Sequence, residues 1–313
     1  MGTPAFAVPS LQSLLDAGHA VVAAATAPDK PRGRGQRVLP TPVKDLALRR
    51  GIPVLEPASV RDPQFASDLT ALSPDLFVVV AFRILPPQVF TIPPLGSFNL
   101  HASLLPRYRG AAPINWALIN GETETGVTTF FLREQVDTGA MLFQERVAIT
   151  PDDDAGSLHD RLAEAGARLV LRTVAAIERG EATPVPQDDS LATPAPKIFR
   201  QDCVVRWEEG SVRVIDRIRG LAPSPGAFTT LRGRVVKVYR AARGGPVVPA
   251  PPGTVTVEGG RILVATPDGA VDVKELQQEG RKRMGAEEFL RGYSLQSGDR
   301  FDEPVNPPSA PRG

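Results

Sequence analysis

Asn99 and His101 carry the first chemical signal of this sequence: one amide and one imidazole, two residues apart, close the apolar run Ser97-Phe98-Asn99-Leu100-His101. On an extended segment, residues i and i+2 project from the same face, so both point into one cleft beyond the strand's carboxyl end. They bring together a hydrogen-bond donor and a titratable group, the equipment for steadying negative charge on an oxygen while a proton moves. A third polar residue, Asp137, sits in Asp137-Thr138-Gly139 between strand-like runs at 127–132 and 142–149, so a turn presents its carboxylate. Taken singly, each of the three is more often a turn former or a surface group than a catalyst.

The elements that must position these residues alternate. Short apolar runs at 20–26, 76–81 and 97–101 predict strands, and 9–17, 42–50 and 157–179 predict helices, the rhythm of an open parallel sheet in an α/β fold. In the last helix Leu158, Leu162, Leu169 and Ile177 share one face, Ser157 caps the start and His159 is left to solvent. Residues 180–196 are rich in Pro, Asp and Thr and read as a linker. Beyond it, β-branched runs at 235–239, 253–257, 261–265 and 270–274, broken by Gly and Pro, predict a small antiparallel barrel. The expected division is a catalytic domain over 1–180, a linker over 181–201 and a second domain over 202–313, with a disordered tail at 304–313.

Composition bounds the function. A chain of 313 residues suits two domains, and 42% hydrophobic with 23% charged residues is ordinary for a soluble protein. No apolar stretch approaches the roughly 20 residues that span a bilayer, and no export signal opens the chain, so a cytoplasmic protein without a membrane partner is expected. Cys203 stands alone, which leaves no intrachain disulfide and suits a small buried side chain. His19 lies in a helix-to-strand turn and no Cys or His cluster has ligand spacing, so no metal is expected. Charge is uneven: residues 1–180 carry 17 basic and 18 acidic side chains, while 197–243 carry 11 and 4, a net of +7 that offers a footing to a polyanion. The plain alternative is a solvated surface written in arginine.

At this point several segments, in order, resemble the 10-formyltetrahydrofolate-dependent formyltransferases, within them the branch that formylates methionyl-tRNA. The segments are Gly2-Thr3-Pro4, the loop 28–35, Asn99 to Pro106 with its continuation Arg107 to Ile114, Asp137-Thr138-Gly139, Ile218 to Ala227, and Glu275-Leu276-Gln277 ahead of Arg281-Lys282-Arg283-Met284. The resemblance implies a doubly wound, mostly parallel Rossmann-like sheet followed by a smaller OB-like barrel. It implies a catalytic trio of Asn99, His101 and Asp137. Asn99 would donate to the formyl oxygen, His101 would polarise that oxygen or shuttle the proton, and Asp137 would orient the ring.

The same resemblance implies folate contacts at Ser103, Leu104, Leu105 and Pro106, with Val79, Val80 and Ala81 in an apolar wall. Contacts to tRNA are implied for the cationic loop residues Lys30, Arg32, Arg34 and Arg37, which stand near Lys44, and for Arg281, Lys282 and Arg283. The implied partners are initiator methionyl-tRNA and 10-formyltetrahydrofolate as formyl donor, handled by a monomer without metal. Gly2-Thr3-Pro4 lacks a dinucleotide fingerprint, so no nicotinamide is implied.

Three differences from the family stand out. The family has an apolar strand before its Gly-Thr-Pro turn, whereas here Met1 immediately precedes Gly2; the first strand is missing, and the expectation is that translation starts upstream. Phe82-Arg83-Ile84-Leu85-Pro86 is one residue shorter than the family's segment and lacks its glycine, and Gln135 stands where glycine is common before the aspartate. Three other readings compete: formylation of a small amine or hydrolysis of formyl-folate with the same trio, or RNA binding by an inactive relative. The basic loop and basic second domain favour tRNA over the small amine, and retention of the trio speaks against inactivity.

Overall fold

Apolar runs in the first half of the chain become strands only where a neighbour receives their hydrogen bonds. In the computed structural model, which describes residues 1–32, 37–246 and 250–302, the chain runs α1 (Val8–Asp16), β1 (Ala24–Ala25), β2 (Lys30–Arg32), β3 (Arg37–Leu39), α2 (Pro42–Arg49), β4 (Val54–Leu55), α3 (Pro63–Ala71), β5 (Phe77–Val80), α4 (Pro87–Phe90), β6 (Ser97–His101), α5 (Pro113–Ile119), β7 (Glu124–Phe131), β8 (Met141–Ala148) and α6 (Ala155–Glu178). It continues through α7 (Ser211–Leu221), β9 (Ala227–Leu231), β10 (Arg234–Gly245), β11 (Val255–Glu258), β12 (Arg261–Thr266), β13 (Gly269–Gln278), β14 (Met284–Gly285), α8 (Ala286–Gly292) and β15 (Phe301–Asp302). Met1–Pro113, Glu124–Ala148 and His159–Ala195 form one unit; Ile114–Thr123, Ile149–Leu158 and the chain from Pro196 form the other.

In the first unit β1 pairs with β4 and β5 with β6, both in parallel, and β7 and β8 extend the sheet in antiparallel fashion. Phe77-Val78-Val79-Val80 is apolar throughout, as a strand covered on both faces requires. Gly2 links the two pieces, bridging Val80 in parallel and donating to the Ala25 carbonyl at 2.9 Å. The Met1 α-amino group donates to the Val78 carbonyl at 2.6 Å, and burial lowers its pKa to about 5. The strand expected over 20–26 shrinks to two residues because 20–23 have no strand beside them. Instead they line a cavity of about 450 Å³ whose walls include Leu14, Leu69, Val78 and Val174.

Behind β6, Phe98 and Leu100 are buried against the core, and Gly166 of α6 lets that helix lie on Leu100, whose Cδ2 is 2.5 Å from where a Cβ would stand. Two expectations about this helix are corrected. Its cap is Asp154, whose carboxylate accepts Ser157 N–H at 2.9 Å while Ser157 Oγ accepts Asp154 N–H at 3.1 Å, so Ser157 closes a capping box from inside the first turn. His159 is half-buried, lying edge-on to Phe6 at 5.3 Å and beside Asp160 at 2.9 Å, because the short polar ring covers an aromatic neighbour.

The second unit is a curled antiparallel sheet in the order β11-β12-β13-β10-β9-β15. Its two ends meet: Thr254 bridges Arg300, Val255 N–H donates to Asp299 O at 2.7 Å and Phe301 N–H to Gly253 O at 2.9 Å. Val236, Val238, Val264, Val271, Val273 and Leu276 fill the interior, the alternation expected of a small closed sheet. Cys203 is buried, and burial pushes its thiol up to about 11, so it packs rather than reacts.

Candidate active site

Asn99 and His101 leave β6 on one face, opposite Phe98 and Leu100, with Asn99 beside Val79 and Phe130 and His101 beside Thr128. His101 is 6% exposed. Its Nε2 lies 2.8 Å from the Tyr108 carbonyl oxygen, which only accepts, so Nε2 carries a proton and Nδ1 is the open nitrogen. Nδ1 faces Asp137 Oδ2 at 3.8 Å. That carboxylate also accepts the Gly110 N–H at 2.9 Å. Among the described residues the Asn99 carboxamide has no hydrogen-bond partner, which leaves its N–H free for an incoming oxygen. The three residues expected to act together are therefore brought to one sheet face.

The Asp137 turn is demanding. Asp137 has φ +56°, a left-handed conformation that Asp tolerates better than most side chains. A Cβ on Gly139 would stand 1.6 Å from the Phe131 carbonyl oxygen, so only glycine lets the chain return to β8. Gly110, at φ +127°, also passes close to the Ala195 carbonyl oxygen, which would stand 2.5 Å from a notional Cβ. Thr138 Oγ1 donates to the Gln135 carbonyl at 3.0 Å, so the turn is built with glutamine at 135.

Residues 103–108 curl under the histidine and are tied down by side chains that sequence reasoning missed. Thr128 Oγ1 accepts from Leu105 N–H at 3.1 Å and donates to Ser103 O at 2.6 Å; Gln144 Nε2 donates to Leu105 O at 2.8 Å. Ser103 Oγ donates to Arg107 O at 2.6 Å. The backbone of Ser103 and Leu105 is thus already bonded within the protein, while Leu104 and Pro106 are partly exposed. Val79 and Val80 are buried in the sheet and Ala81, at φ +47°, is exposed where the chain leaves β5. In the next turn Arg83 donates to the carbonyls of Ala58 and Pro57 at 2.9 and 2.8 Å, anchoring the short segment and leaving Ile84 69% exposed. An exposed apolar side chain beyond the carboxyl ends of parallel strands suits a flat organic ligand.

Of the expected tRNA contacts, Lys30, Arg32 and Arg37 lie on the β2–β3 hairpin and Arg34 lies outside the described residues. Lys44 is not a loop cation: Asp29 and Glu56 hold it at 2.6 and 2.8 Å and raise its pKa. Arg281, Lys282 and Arg283 are exposed after β13, with Lys282 paired to Glu288 at 2.7 Å and Arg283 paired to Glu275 and lying 4.5 Å over the Tyr239 ring. Tyr239, Arg240, Arg243, Lys274 and Arg283 line a cavity of about 870 Å³ in the second unit, faced by acidic residues that include Asp154. Among the described residues no group of three or more His, Cys, Asp or Glu side chains is placed to hold a metal ion, and no helix is long and apolar enough to cross a membrane.

Known proteins resemble the chain along nearly its full length. Residues 1–174 match the formyl transferase family model and 197–294 match that of the formyl transferase C-terminal domain. The chain is 48% identical over 305 residues to a methionyl-tRNA formyltransferase of Geobacter sulfurreducens, covering 97% of this chain and 96% of that one. It is 49% identical over 306 residues to one of Chlorobium limicola, covering 95% and 96%. Among solved structures, an N-formyltransferase from Helicobacter canadensis, in complex with folinic acid and dTDP-3-aminofucose, shares the fold with a TM-score of 0.66 at 19% identity, over 87% of this chain and 96% of that one. HypX from Aquifex aeolicus, in complex with tetrahydrofolic acid, gives 0.60 at 20% identity over 80% of this chain, which spans only 44% of that longer protein. With both halves matched and near-half identity along almost its full length, the chain belongs to the formyl transferase family, in the branch of the methionyl-tRNA formyltransferases.

Proposed function

We propose that the protein transfers the formyl group of 10-formyltetrahydrofolate to the α-amino group of methionyl initiator tRNA. The observation that carries the reading is the open Nδ1 of buried His101, set against Asp137 on the same sheet face as the unpartnered Asn99 amide. The donor supplies an activated formyl carbon. As the amine attacks it, a C–N bond forms, negative charge develops on the formyl oxygen and Asn99 N–H is placed to stabilise it. His101 Nδ1 takes the proton released by the amine and returns it to the departing folate nitrogen, with Asp137 compensating the transient imidazolium. Direct attack needs no covalent enzyme intermediate.

The same reading assigns folate contacts to Ser103, Leu104, Leu105 and Pro106 with Val79, Val80 and Ala81 behind them, and tRNA contacts to Lys30, Arg32, Arg34, Arg37, Arg281, Lys282 and Arg283. It treats the second domain as an OB-like tRNA-binding barrel over 202–313, after a catalytic domain at 1–180 and a linker at 181–201. It places a metal-independent monomer in the cytoplasm. The test is single-turnover formyl transfer from 10-formyltetrahydrofolate to methionyl initiator tRNA, with free methionine and water as control acceptors. Transfer to the charged tRNA, lost in His101→Ala, is the expected result. Transfer only to small amines or water would overturn the choice of acceptor, and bound folate and tRNA without transfer would identify an inactive relative.

A further inference from the structure

Gln187 belongs to the Pro-rich stretch that reads as a linker, yet its carboxamide closes a ring of hydrogen bonds around the Asp137 turn. Its Nε2 donates to the carbonyls of Asp137 and Gly139, each at 2.8 Å. Its Oε1 accepts from Arg109 Nε at 3.0 Å and Nη2 at 2.7 Å, and the same Nη2 reaches Asp189 at 2.7 Å. The residue after Arg109 is Gly110, whose N–H holds the Asp137 carboxylate at 2.9 Å. One side chain thus grips the backbone that carries the carboxylate and, through Arg109, the backbone that aims it.

The flanking chain repeats this double attachment. Val185 exchanges two backbone hydrogen bonds with Met141, at 2.8 Å each, just past the Asp137 turn. Thr193 and Ala195 bond to Tyr108 and Arg109. Residues 185–195 therefore strap the loop bearing Asp137 to the loop bearing Gly110 and the Tyr108 carbonyl that orients His101. We propose that Gln187 is a positioning residue that fixes the Asp137 carboxylate against His101. The proposal rests on the reading that the His101–Asp137 pair moves the proton. Such pairs depend on placement, and a displacement of about 1 Å at a reacting group costs roughly 100-fold in rate.

The test replaces Gln187 with Met, which keeps length and loses all four hydrogen bonds. The chain has only three histidines, so long-range proton–nitrogen NMR resolves each imidazole, with His101→Ala giving the assignment. Expected in Gln187→Met are moved ring-nitrogen resonances for His101, unmoved ones for His19 and His159, and a kcat for formyl transfer lowered about 10- to 100-fold at unchanged folate affinity. Unmoved His101 resonances overturn the proposal whatever happens to kcat, and so do moved resonances at unchanged kcat. If Gln187→Met does not fold, Gln187→Glu, which keeps the acceptor for Arg109 and loses the donor to both carbonyls, is read the same way. A wild-type chain that transfers no formyl group defeats the functional reading alone, and the ring resonances still decide the positioning.

Discussion

His101 and Asp137 face each other through Nδ1 and Oδ2 at 3.8 Å, while the second ring nitrogen of His101 is committed to the Tyr108 carbonyl. That division of labour leaves one nitrogen to take up a proton and one to hold the ring. Both side chains are largely withdrawn from water, at 7% and 11% exposure, so the charge formed when Nδ1 is protonated meets a carboxylate that solvent screens weakly.

On the proposed mechanism, replacing His101 with Ala removes the proton carrier. The expected loss in single-turnover transfer is about 100- to 10,000-fold, with folate binding retained, measured by rapid quench and by equilibrium titration.

Asn99→Ala tests the proposed donor to the formyl oxygen. A lost donor of this type lowers kcat about 100- to 1,000-fold. The split between kcat and the KM for folate checks the role, because a residue that merely bound folate would raise KM instead.

Gly139→Ala drives a methyl group into the Phe131 carbonyl oxygen, 1.6 Å from its ideal position. The turn must move, which costs about 1–3 kcal/mol of stability and displaces Asp137. Denaturant unfolding and kcat on the same protein read both effects, and a neutral variant would mean that the turn yields without consequence.

Acid destabilises a chain that begins at Met1. Burial lowers its α-amine pKa from 8.0 to about 5, so the folded state binds the proton more weakly than the unfolded one. Stability is complete above about pH 8 and is lost as pH falls toward 5, by ~4 kcal/mol between those limits. Urea unfolding at the two pH values measures the loss, and acetylation of the amine is expected to remove that part of the pH dependence.

Binding of tRNA is expected to weaken with salt, and joint replacement of Arg281, Lys282 and Arg283 by Ala to flatten the slope of log affinity against log salt by about 0.7–0.9 per phosphate released. Titrations at three salt concentrations check this. Lys282 and Arg283 are paired to acidic neighbours in the free protein, so the flattening should fall short of three phosphates.

Local periodicity alone determined much of this protein. Asn99 and His101 share a face because strand side chains alternate, and the Asp137-Thr138-Gly139 turn was readable because glycine between two apolar runs has few other uses. The alternation of elements pointed to an α/β sheet and then an antiparallel barrel. What the tertiary structure decided depends on partners far away in sequence. Residues 20–26 have strand composition but form only two residues of strand, because a ladder needs a neighbour on which to close its bonds. Gln187 carries no local signal; it meets Asp137 across 50 residues, and Gln144 meets Leu105 across 39, in contacts that no period of 2 or 3.6 encodes. The curled sheet joins its ends through Thr254 and Arg300 for the same reason: β10 to β13 announce themselves as β-branched runs, whereas β9, β14 and β15 do not, and which edges meet is set by the twist and packing of the whole sheet.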